Sequence, residues 1–93
     1  MIKVYHNQSS NRHLEVKPDV LRQNFKDAVH VANVDTNDLE KAFELTNHID
    51  GPWPSNPGVE VLTEHVRSTS VGDFMVLNDH TYAVDAFGFI KLS

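Results

Sequence analysis

The chain opens with an alternation of apolar and polar positions. Ile2 and Val4 fall on one side of an extended segment and Lys3 on the other, which predicts a first strand over residues 2–5. Residues 7–12 (Asn-Gln-Ser-Ser-Asn-Arg) carry turn-forming side chains and read as a polar loop. Leu14 and Val16 fit a short strand before Pro18. From Pro18 and Asp19 a weak helical period starts, with Leu21, Phe25 and Ala28 on one face. Residues 29–34 return to strand character, with Val29 and Val31 on one side.

The best helical signal covers about residues 36–48. Asn37 and Glu40 have capping-box spacing, and Asp35 and Asp38 suit the positive end of a helix. Leu39, Ala42, Phe43 and Thr46 form its inward face, while Glu40, Lys41 and Glu44 point outward. Beyond it, Pro52, Pro54 and Pro57 with Gly51 and Gly58 exclude a helix or a central strand. Residues 59–62 again suit a strand. A polar loop, Arg67-Ser-Thr-Ser-Val-Gly-Asp73, leads into the apolar run 74–77, the Asn78-Asp79-His80 punctuation and a second apolar run over 81–92. That order predicts a β-hairpin and an apolar C-terminal strand. The fold class expected is α+β: an antiparallel sheet with a C-terminal β-hairpin and one well-defined helix packed on it. Ninety-three residues suit one domain, 1–93, and are too few for two.

Composition narrows the chemistry. Eight basic residues against 13 acidic ones give a net charge of −5, with no basic cluster. Nucleic-acid binding draws most of its affinity from Lys and Arg, so it is not expected here. There is no cysteine, hence no disulfide or thiolate site. No run approaches the roughly 18 apolar residues of a membrane span, and residues 1–7 lack the apolar region of a leader. Cytoplasmic residence is the default expectation.

Trp53 stands in the proline-rich loop, and its two readings are distinguished by exposure. Turned inward, it caps the helix and sheet while the prolines stiffen the loop. Turned outward, it offers a large, low-entropy binding anchor. The 67–73 loop places three hydroxyls beside an arginine and a glycine, a composition suited to anions. It lacks the lysine and glycine spacing of a phosphate loop, and the structural alternative is a tight Gly72-Asp73 turn with Arg67 paired to a carboxylate. His6, His13, His30, His48, His65 and His80 show no metal-site spacing, and only His48-Ile-Asp50 resembles a ligand pair. Ser68 or Ser70 lacks a nucleophile-elbow context. No catalytic set, cofactor or metal is therefore expected. Tyr82, Phe87 and Phe89 suggest a base-stacking platform, but without interleaved basic residues they are assigned to the core. Gly88 is assigned to a bulge or a close packing contact.

Four segments carry a resemblance: residues 35–47, Trp53, the Arg67-Ser-Thr-Ser-Val-Gly-Asp73 loop and Phe87-Gly-Phe89. Together they resemble small proteins of bacteriophages, plasmids and integrated elements, including YodL-like domains. Such proteins share an Arg-Ser-Xaa-Ser-Val-Gly-Asp segment, a hairpin and a terminal Gly-Phe strand. The likeness covers residues 35–92 and implies a genomic setting; it supplies no reaction, cofactor or catalytic set. The expectation is a phage or mobile-element accessory protein without catalytic activity that binds and modulates a bacterial host protein, with inhibition the mode that fits this class. An exposed Trp53 would be its anchor, with Asp50, Arg67, Ser68, Ser70, Asp73, Glu40 and Glu44 as further partner contacts. A homodimer through the C-terminal strand is compatible with this. The alternatives are a nucleic-acid-binding module using the hairpin sheet, and a small enzyme or metal-binding protein.

Overall fold

A computed structural model describes residues 1–9, 17–47, 52–63 and 67–93. The expected short strand at Leu14 and Val16, and the His48 and Asp50 pair, lie outside the described residues. The elements in chain order are β1 (Ile2–His6), α1 (Pro18–Phe25), β2 (Val29–Val34), α2 (Leu39–Leu45), a single 3₁₀ turn (Trp53–Ser55), β3 (Val59–Val61), β4 (Phe74–Leu77), β5 (His80–Asp85) and β6 (Gly88–Lys91). The strands form one antiparallel sheet in the order β3-β2-β1-β4-β5-β6. This is the α+β architecture the sequence pattern anticipates, with the weaker helical period from Pro18 also forming a helix.

Each helix has its own face of the sheet. Side chains alternate across a strand, so successive buried residues must meet cover on opposite sides. On β4, Met75 joins Ile2, Val4, Val34, Ala42, Trp53 and Val84 beneath α2 and the 3₁₀ turn. The preceding Phe74 joins Leu21, Ala83 and Leu92 beneath α1. Leu21 is the buried residue of α1, and Phe25 adds edge-on ring contacts to Tyr5 and Phe74, both at 5.1 Å. A single apolar stripe on an otherwise polar helix is enough to seat it here.

The stronger helix is shorter than its pattern, running over residues 39–45 instead of about 36–48. The cap is also one residue later than the spacing suggests. Asp38 Oδ1 accepts the backbone N–H groups of Glu40 at 3.0 Å and Lys41 at 3.3 Å. Asn37 Oδ1 is occupied instead by the N-terminal ammonium of Met1, at 2.9 Å.

The hairpin turn is two residues long, pairing Leu77 with His80. Asn78 and Asp79 sit at φ +51° and +66°, the left-handed pair that matches the twist of a two-residue connection. The apolar run 81–92 is not one strand, as expected, but two. It breaks at Ala86 and Phe87, where Gly88 at φ +145° returns the chain as β6. Apolar content alone does not mark that reversal.

Candidate partner-binding site

Trp53, a binding anchor only if turned outward, is fully buried at 0% exposure, which is its inward reading. The prolines stiffen the loop but do not decide which way the ring points. Its indole N–H finds the carbonyl of Arg67 at 2.9 Å, and its ring packs edge-on to the buried His6. A partner for the indole N–H removes the main cost of burying the side chain, and the large apolar area then favours the core. His6 Nε2 lies 3.0 Å from Thr69 Oγ1, which ties the same loop to β1.

The 67–73 loop closes on itself. Asp73 is fully buried and receives the Arg67 guanidinium at two points, Nη1 to Oδ2 at 2.6 Å and Nη2 to Oδ1 at 2.7 Å. The same carboxylate accepts the backbone N–H of Asn7 on Oδ1 and that of Ser70 on Oδ2, each at 2.8 Å. Arg67 also donates to the carbonyls of Ser68 and Asn7, and Asn7 Nδ2 donates to that of Gly72. These contacts spend the fork of the guanidinium on the protein itself, so an anion would have to displace Asp73. Arg67, Ser68, Ser70 and Asp73 therefore act as a staple between the end of β1 and the start of β4. Their geometry matches the carboxylate-pairing alternative.

The exposed aromatic is elsewhere. Phe87, assigned to the core by pattern, is 99% exposed at the β5–β6 turn. Phe89, two residues on, does pack partly against the α2-side core. Beside Phe87 lies a cleft of about 260 Å³ lined by Glu40 and Phe43 of α2, Val71 of the loop, and Val84 and Phe89 of the sheet. Asp85 borders it, and among the described residues no Lys or Arg lines it. Glu40 thus reaches the site, while Glu44 is exposed on the same helix without lining the cleft. Asp50 lies outside the described residues. The signal available for Phe87 was its place just before a glycine in a run too long for one strand.

Among the described residues, no three His, Asp or Glu side chains converge to hold a metal, and no helix is long and apolar enough to cross a membrane. Comparison with family models, with curated proteins and with solved structures produced no match.

Proposed function

We propose that this chain is a non-catalytic accessory protein of a phage or mobile element that binds a bacterial host protein in the cytoplasm and inhibits it. The exposure of Phe87 at a tight turn, next to an apolar cleft, is the observation that carries the reading. A two-residue turn between paired strands fixes the backbone that carries the ring, so little loop entropy is lost when a partner covers it. A fully exposed aromatic beside a concave apolar surface has the make-up of an interface anchor and its pocket. The carboxylates of Glu40 and Asp85 select the partner's chemistry: an apolar side chain flanked by Lys or Arg. The phage or mobile-element setting rests on the resemblance carried by residues 35–47, Trp53, 67–73 and 87–89.

The test compares capture of host proteins from bacterial extract by the wild type, Phe87→Ala and Glu40→Lys at matched fold stability. The expected result is a partner held by the wild type and lost by Phe87→Ala. Once purified, that partner should bind Phe87→Ala with a loss of about 2 kcal/mol, roughly a thirtyfold weaker Kd. Its binding should also weaken with salt and with Glu40→Lys. Equal capture by Phe87→Ala and wild type would overturn the proposal.

A further inference from the structure

We infer that β6 is a self-complementary edge that pairs antiparallel with β6 of a second copy, joining two sheets into one. β6 is the last strand in the sheet order, and among the described residues no strand lies beyond it. Its register tells which backbone groups are left over. Leu92 N–H donates to the carbonyl of Thr81 at 2.7 Å, and Ala83 faces Ile90 while Asp85 faces Gly88. Hydrogen-bonded pairs alternate along an antiparallel ladder, so Gly88 and Ile90 turn their backbone groups toward β5, as Leu92 does its N–H, while the Leu92 carbonyl accepts from Arg22 Nε at 3.0 Å. Phe89 and Lys91 turn theirs outward, off the edge.

A two-fold axis at Ile90 would use those groups in full. Phe89 of each copy then faces Lys91 of the other as a hydrogen-bonded pair, and the two Ile90 side chains meet on the α1 side, extending the apolar cluster they already join. Side-chain chemistry agrees with this register. Lys91 is exposed and has no carboxylate partner among the described residues. It projects on the same face as Phe89, since the two are separated by one residue. In the pair, each Lys91 stem lies across the other copy's Phe89, and its ammonium stands at the mouth of the cleft that Glu40 lines. Each copy therefore supplies both the cation and the acidic cleft, which is the condition for a closed two-fold contact. The pairing rests on the β6 register and not on the host-partner reading. The two occupants use the same cleft, so they exclude each other.

The experiment is sedimentation of the full chain across concentration, with amide hydrogen exchange at each end of the range. The expected result is a monomer–dimer equilibrium in which the Phe89 and Lys91 amides gain protection as the dimer forms, while Ile90 is protected throughout. Lys91→Glu and Glu40→Lys should each weaken the dimer by about tenfold or more, and the double exchange should restore it. Both residues are exposed, so these variants keep the fold. A chain that stays monomeric up to about 1 mM overturns the inference, since no specific contact would then exist. So does a dimer in which Phe89 and Lys91 exchange freely, or a double exchange that fails to restore pairing. These readouts are taken on the chain alone, with no host protein present, which keeps the two proposals separable.

Discussion

Arg67 grips Asp73 through a two-point ion pair, 2.6 and 2.7 Å long, in which the carboxylate is wholly buried and the guanidinium still reaches solvent. That asymmetry sets what each substitution does. Arg67→Ala takes the guanidinium away from a buried carboxylate, and a loss of about 3–5 kcal/mol is expected. For a chain of this size that is a large share of the total stability. Asp73→Asn should cost less, because the arginine head can turn toward water. Urea unfolding midpoints check the order. Equal effects of the two substitutions would contradict it.

Trp53 is the single tryptophan of the chain and reports directly on the core. Its native emission should be blue-shifted and shielded from iodide, moving red only on unfolding. Trp53→Phe should destabilise by about 1–2 kcal/mol through the lost bond to the Arg67 carbonyl and a small cavity, and Trp53→Ala by about 3–5 kcal/mol. Iodide quenching in the native state would contradict the burial.

Two neighbouring side chains at the start of α2 separate by role. Asp38→Ala should cost about 1 kcal/mol, since it removes the acceptor of two helix N–H groups. Asn37→Ala should cost only a few tenths, because its partner is an exposed ammonium. Denaturant titration of both variants measures the difference, and a larger effect at Asn37 would restore the capping-box assignment.

Much of the sheet could be read from local signals, because those signals are themselves local. Alternation at Ile2, Lys3 and Val4, and the turn chemistry of Asn78 and Asp79, act over a few residues and survive into the fold. Leu21 and Phe25 gave the weaker helix for the same reason. What escaped the reading depends on distance. Trp53 is held by an acceptor fourteen residues away, and whether Arg67 meets Asp73 or another carboxylate depends on how β1 abuts the loop. Asn37 and Asp38 are both competent caps, and the choice between them follows from where Met1 ends up. Phe87 was misassigned because hydrophobicity describes what a side chain prefers, while a two-residue reversal dictates where it is put. The candidate site was therefore legible in Glu40 alone.

The placement of β1 in the middle of the sheet has a consequence for how the protein is made. Lys3 must find Val76, so the earliest strand to be synthesised waits for one of the latest before both its edges are satisfied. Pairings at such separations are slow to close, on the order of milliseconds to seconds. A nascent chain halted before residue 74 therefore carries an unsealed central strand, and it is in that interval, rather than in the finished molecule, that chaperones and proteases have their best access.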